Sequence, residues 1–400
     1  MTATRSADAV IVGGGVIGAA IAYHLALAGL ERVVVCEQSR IASQGATARS
    51  GGLLRLHHTT ACDTRLTALS LPTFEQWDEV IGGDCGYRRT GFAMLVGEEH
   101  VAALRVNTAV AAEAMSYERV EVIDPDQAGT LFPGLDLAGV AAVAYEPSGG
   151  YADPAATATS LIAAARRIGV SEAEGTRVVR VLEHEGAVTG VETSAGRIEA
   201  PLVVLTSGAW GAESAAHLGV EVPVVPRRIG LAQVALPGAG RRGSDNQLPT
   251  CIDDTIGSYF RPGGTDRFFF GVQSHPDVDL EQGAAPLTGD EVNAAVAAVS
   301  RRVPAVTSAP LVGTRAGYDG YTLDKRPVIG PAGPDGLYLA LGFSGGGFKL
   351  APAVAELAAR EISEGEAVIG KAGEPLLEPY RPQRFANGNL ITPEAPYAHI

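Results

Sequence analysis

Gly13-Gly14-Gly15-Val16-Ile17-Gly18 stands between a short apolar run, Ala9–Val12, and a helix-forming stretch over 16–28 that is closed by Gly29. A second apolar run over 32–36 ends at Glu37. Strand, glycine turn, helix and strand thus fit into about thirty residues, the size of one βαβ unit. The G-x-G-x-x-G pattern is weak alone. It gains meaning from the strand before it, the helix after it and the acid that follows. Gly13 permits the tight turn, Gly15 lets backbone approach a pyrophosphate at the positive helix N-terminus, and Gly18 lets helix and strand pack closely. Glu37 would hydrogen-bond ribose hydroxyls, and its charge would disfavour a 2′-phosphate. The segment predicts a bound dinucleotide without distinguishing NAD from FAD.

Composition narrows the class. Glycine supplies 50 of 400 residues, well above the usual share of about 7%, yet no G-X-Y period points to collagen. Apolar residues reach 46% and charged ones 19%, so the chain is not a disordered tail. The net charge of −14 argues against nucleic acid or an anionic membrane surface as partner. Cys36, Cys62, Cys85 and Cys251 are widely spaced with no C-x-x-C, so neither a metal site nor a redox pair is expected. A reduced, cytoplasmic setting fits that usage. Arg5 precedes an apolar stretch over 9–30, but three consecutive glycines, Tyr23 and His24 interrupt it. It reads neither as a signal peptide nor as a membrane span.

The pattern predicts an α/β, two-lobed chain. A Rossmann-type dinucleotide-binding domain would take 1–84, 146–215 and 322–400. A substrate domain on a mixed, mainly antiparallel sheet would take 85–145 and 216–321. The expected elements are a helix over about 60–81, short strands from Gly91 to Val96, a helix over about 100–115 and one that opens at Asp153-Pro154 and runs to about 168. Asp153 suits the N-cap and Pro154 the first helical position. Strands are expected around 176–182, 187–193 and 202–206. Short segments bounded by Pro and Gly fill 222–312, broken by a helix over about 289–299. A buried strand over 337–341, a glycine turn and a helix to about 361 follow, then an irregular tail over 371–400.

Five ordered motifs, spread over roughly 8–385, resemble the FAD-dependent amino-acid and amine oxidoreductases, the family of D-amino-acid oxidase, glycine oxidase and monomeric sarcosine oxidase. They are the fingerprint with Glu37; the 46–55 segment, with Arg49, Ser50, Gly51, Gly52 and Leu53 before Arg55; 148–154; 203–210, with Ser207, Gly208 and Trp210; and 322–330, followed by the turn Gly345-Gly346-Gly347-Phe348-Lys349. The resemblance implies FAD, contacted by these residues and by Val178. It implies oxidation of a C–N bond in an amino acid or N-alkyl amino acid, with hydride passing to flavin N5 and an imine that water hydrolyses. The turn before the last helix gathers backbone N–H groups that would stabilise negative charge on a reduced flavin.

By the same resemblance, Arg55 and Lys349 would hold the substrate carboxylate, with Tyr318 nearby and Arg315 a weaker basic candidate. Sarcosine oxidases attach flavin through a cysteine aligned near Ala316; other relatives use a histidine aligned near Arg49. Neither residue stands there, so the FAD is expected to be non-covalent. His57 and His58 are adjacent and do not suit a metal pair. The family lysine that assists reaction with O₂ aligns with Phe269, and a frequent histidine with Gln273. That departure makes a dehydrogenase, or one subunit of a hetero-oligomeric amine oxidase, an alternative to an oxidase. A non-catalytic dinucleotide-binding protein is a further alternative. The expected partner is a small amino acid or amine.

Overall fold

The computed structural model describes residues 5–42, 44–115, 120–275, 278, 280–365, 368, 369 and 374–398. The expected irregular tail therefore lies partly outside the described residues, at 371–373, 399 and 400. In chain order the elements that build the two lobes are β1 (Ala9–Val12), α1 (Val16–Leu27), β2 (Val33–Cys36), α2 (Ala61–Glu75), β3 (Phe92–Val96), β4 (Glu121–Ile123), β5 (Ala142–Glu146) and α3 (Pro154–Arg167). There follow β6 (Ser171–Ala173), β7 (Val203–Leu205), β8 (Val225–Ala235), β9 (Thr250–Asp253), β10 (Ser258–Pro262) and β11 (Arg267–His275). The last are α4 (Gly289–Ser300), β12 (Leu311–Tyr321), β13 (Val328–Pro331), β14 (Leu337–Leu341) and α5 (Gly347–Glu364).

One six-stranded sheet has the order β13-β14-β7-β1-β2-β6. All its pairings are parallel except β13 with β14. Its short strands carry apolar side chains on both faces because both faces are covered. Helices α1, α3 and α5 pack on one side, where α1 is buried nearly all round. A small four-stranded sheet including Val178–His184 and Ala187–Thr193 closes the other.

The second large sheet has eight strands in the order β12-β8-β11-β10-β9-β3-β5-β4. Every neighbour pair is antiparallel except β9 with β3. Phe260, Phe268 and Phe270 fill its covered face beside α4. The sheet is mixed and mainly antiparallel, as the 222–312 pattern implies.

Local chemistry explains two boundaries. The expected helix over 60–81 is broken: α2 stops at Glu75, Gln76 leaves helical geometry at ψ +30°, and Trp77–Val80 forms a separate turn. Helix α3 begins where Asp153 accepts hydrogen bonds from the Ala155 and Ala156 N–H groups, both at 2.9 Å. Asp153→Ala should cost about 1 kcal/mol and lower Tm by about 1 °C, read by differential scanning calorimetry. Among the described residues, no helix is long and apolar enough to cross a membrane.

Candidate active site

The strands of the six-stranded sheet deliver the glycine segment to one end of a long cavity. Gly13 has φ +111°, and a Cβ there would lie 2.7 Å from the Thr206 carbonyl oxygen. A Cβ on Gly18 would lie 2.0 Å from the Gly13 carbonyl oxygen. The first turn of α1 therefore sits flush against the turn that precedes it. Gly15 is its N-cap, with no side-chain cap. The Val16 N–H donates to Thr47 Oγ1 at 3.0 Å. Glu37 accepts from the Gly14 and Ser39 N–H groups, each at 2.9 Å.

Gly13, Gly15, Val16, Ile17 and Glu37 line this end of the cavity together with Val178, Ser207, Gly208 and Trp210. Gly18 does not line it; the residue serves helix packing. Arg40, Arg177 and Arg180 also line the cavity, and the sequence patterns did not single them out.

The middle wall is the segment 49–53. Arg49, Ser50, Gly51, Gly52 and Leu53 all line it. Leu53 and Leu54 pair with Tyr151 and Gly150, which fixes the segment from the 148–154 motif. Arg49 Nε donates to the Ala316 carbonyl at 3.1 Å. Behind Gly51, Arg261 donates to the Gly51 carbonyl. Its guanidinium packs against the rings of Tyr151 and Phe269, at 4.2 and 4.4 Å from their centroids. Phe269 thus packs on a buried cation and is not in the cavity lining, and Gln273 is exposed.

At the far end the structure brings Arg55 and Lys349 into the same cavity. Lys349 lies in the first turn of α5, only 5% exposed, and its Nζ donates to the Gly346 carbonyl at 3.2 Å. Burial, reinforced by the Arg55 charge, pushes its ammonium down to about 7. Burial also lowers Arg55 to about 10, against the opposing pull of Glu146 and Asp63. The Arg55 guanidinium lies 5.8 Å from the Phe92 ring centroid. Glu146 accepts the Leu56 and His57 N–H groups, both at 2.6 Å, and so fixes the backbone just after Arg55. Asp63 is held by Arg326 at 2.5 Å and by the Tyr380 hydroxyl at 2.8 Å.

Gly345, Gly347 and Phe348 line the cavity, whereas Gly346 contributes through its carbonyl. Ser344 adopts φ +51°, and the turn is braced where Ser344 Oγ donates to the Gly342 carbonyl and accepts from the Thr322 N–H.

Tyr318 needs correction. It is buried, but it is not in the cavity lining; its ring meets Trp210 edge-on at 6.3 Å. Strand alternation gives the reason: β12 turns Asp319 and Tyr321 to the cavity and Tyr318 to the other face. Arg315, also on β12, is exposed and outside the lining. His57 Nε2 meets the Tyr397 hydroxyl at 2.6 Å, and His58 Nε2 meets Thr67 Oγ1 at 3.0 Å, so the two rings have separate partners.

Two helices, α1 and α5, therefore point N-termini without side-chain caps at one cavity. Its walls at Gly13 and Gly52 have no room for a Cβ. This suits a long, doubly anionic molecule with a planar end that accepts negative charge. Residues 8–361 match the family described as FAD dependent oxidoreductase. The chain belongs to that family. It is a FAD-dependent oxidoreductase, and the two helix N-termini with their glycine walls fit the cofactor.

The oxidoreductase is 27% identical over 362 residues to the mitochondrial dimethylglycine dehydrogenase of Rattus norvegicus, covering 85% of this chain and 41% of that protein. It thus spans about two fifths of the length of that curated relative. Among solved structures it is similar to L-proline dehydrogenase from P. horikoshii, with a TM-score of 0.86 and 27% identity over 97% of this chain and 100% of the other. It is also similar to glycine oxidase from Geobacillus kaustophilus, with a TM-score of 0.81 and 26% identity over 95% and 99% of the two chains.

Proposed function

We propose that the oxidoreductase oxidises the C–N bond of an amino acid or N-alkyl amino acid whose carboxylate is held by Arg55 and Lys349. The observation that carries this reading is the pair of enclosed cations in the cavity that the glycine turn and α5 also line. FAD, when bound, supplies the two-electron acceptor. Arg55 offers a planar fork that can grip a carboxylate at two points, and Lys349 adds a point charge. Holding the carboxylate at both fixes which carbon faces the cofactor, and such positioning is a large part of the rate gain. The names of the relatives, which include dimethylglycine, proline and glycine, support an amino acid bound in this way.

The FAD is held without a covalent bond in this reading. Cys36, the cysteine in the described lining, lies next to Glu37 at the fingerprint end. His57 and His58 are turned to Tyr397 and Thr67. Acid precipitation should leave a colourless pellet, with all the FAD in the supernatant. Anaerobic addition of sarcosine, glycine, proline or D-amino acids should bleach the flavin with at least one of them, faster as pH rises and the amine becomes neutral. A protein that neither carries nor takes up FAD would sink the reading.

The packing of β11 favours a second reading, a dehydrogenase that passes electrons to an acceptor other than O₂. Phe269 covers Arg261 and presents no amine to the cavity. Bleached flavin should then regain its colour slowly in air and quickly with an artificial acceptor.

A further inference from the structure

Asp319 is an acid of the cavity that the scheme above leaves unused; Glu213, the other, is paired with Arg177. It lies near the end of β12, 8% exposed, and lines the same cavity as Lys349. Its Oδ2 accepts the Gly345 N–H at 2.7 Å, and its Oδ1 accepts the Gly320 N–H at 2.9 Å. The Gly345 bond ties the carboxylate to the same turn whose next residue, Gly346, accepts from Lys349 Nζ. The carboxylate and the ammonium are thus anchored on adjacent residues of one turn.

Among the described residues, no guanidinium or ammonium pairs with Asp319. Its titratable neighbours are Tyr259 of β10 and Tyr321 of its own strand, both pushed upward by burial and further by the Asp319 charge. Arg227 of β8 sits over the Tyr321 ring at 5.2 Å. The residues lining the cavity from β8 and β9 are Ile229 and Ile252, which carry no charge. Asp63 and Glu146, by contrast, are occupied by Arg326, Tyr380 and backbone N–H groups around Arg55.

Away from the fingerprint end, where Glu37 is met by backbone N–H groups, the cavity therefore holds Arg49, Arg55 and Lys349 and, among the described residues, one acid without a cationic partner, Asp319. Buried charges without partners are costly, and a ligand that supplies the missing charge relieves that cost. We infer that Asp319 is the specificity residue for the substrate's amine nitrogen, so that the site recognises a zwitterion with its carboxylate on Arg55 and Lys349 and its N–H on the Asp319 carboxylate. This rests on the carboxylate reading above and adds the second half of the ligand. Burial raises the Asp319 carboxyl to about 6, against the two backbone hydrogen bonds. The amine should therefore be gripped above about pH 6 and released below it.

The test uses the FAD-loaded enzyme and two pairs of probes that differ only in N–H against ether oxygen: sarcosine with methoxyacetate, and proline with tetrahydrofuran-2-carboxylate. Ether binding is read from perturbation of the flavin spectrum. Amine binding is read from the concentration dependence of anaerobic bleaching. In the native enzyme at pH 8 the amine of at least one pair should bind about tenfold or more tighter than its ether, and the preference should fade below pH 6. Asp319→Asn keeps an oxygen for the Gly345 N–H. It should erase the preference by weakening the amine about tenfold, with the ether unchanged or tighter.

Equal weakening of both members of a pair, or no change in either, overturns the assignment. So does a native enzyme that never prefers an amine, a result that needs no variant. Failure of the carboxylate reading looks different: Lys349→Met would then leave ether binding untouched.

Discussion

Lys349→Met should lower kcat/KM by roughly 100-fold, about 2.7 kcal/mol, while the protein still binds FAD and melts at no lower temperature. The two halves of this expectation have one cause. An ammonium enclosed at the start of α5 is poorly solvated, and its hydrogen-bond partner among the described residues, the Gly346 carbonyl, cannot neutralise it. Its folded value of about 7 lies below its ordinary 10.5. Between those values the unfolded chain holds a proton that the folded chain does not. Stability therefore rises with pH across that window, and the full penalty is felt below about 7.

Methionine fills the space without the charge, so the penalty and its pH dependence should both vanish. A bound carboxylate, in contrast, needs the charge and would raise the lysine's affinity for its proton. Carboxylate binding at pH 8 to 9 should accordingly take up a proton, visible when the heat of binding is compared in buffers of different ionisation enthalpy. A kcat/KM within threefold of native would show that Lys349 does not touch the substrate.

Gly18→Ala should yield a protein that binds FAD about 100-fold more weakly and is less stable by roughly 1–3 kcal/mol. The added carbon would lie 2.0 Å from the Gly13 carbonyl oxygen and 2.7 Å from Thr206 Oγ1. Neither can retreat easily, because the Thr206 hydroxyl donates to the Val12 and Gly13 carbonyls, both at 2.9 Å. The first turn of α1 must move instead, and a shift of about 1 Å in a built site can cost about 100-fold. Gly289→Ala is the control, since open space surrounds its Cβ. Equilibrium dialysis with FAD and a melting curve read both effects, and native-like affinity in Gly18→Ala would refute the packing argument.

These residues show why parts of the site were legible in the chain and others were not. The glycines of the fingerprint follow from local sterics, so their spacing carries the turn, the helix start and the expected ligand together. Arg55 and Lys349 are 294 positions apart. Only the likeness to a family joined them before the fold placed both in one cavity. The step from Tyr318 to Asp319 was missed for a different reason. Adjacent strand residues face opposite ways, so an error of one position exchanges the cavity for the core. Moreover, β12 contains Gly313, Gly317 and Gly320, which weaken the alternation that would have revealed a strand there. Glu146 and Asp63 gave no local sign, because their partners come from remote segments.

The order of β1, β7 and β14 in the six-stranded sheet bears on how the protein is made. β7 is the strand that pairs with β1 on the side away from β2, and it emerges from the ribosome roughly 190 residues later. At about 5–20 residues per second that is a wait of about 10–40 s. During it, the fingerprint has its helix and β2 but no neighbour on its other edge. β14, which pairs with β7, arrives later still. The dinucleotide cradle is therefore begun long before it is completed, and free FAD in the cell meets a finished site only after β14 has been translated.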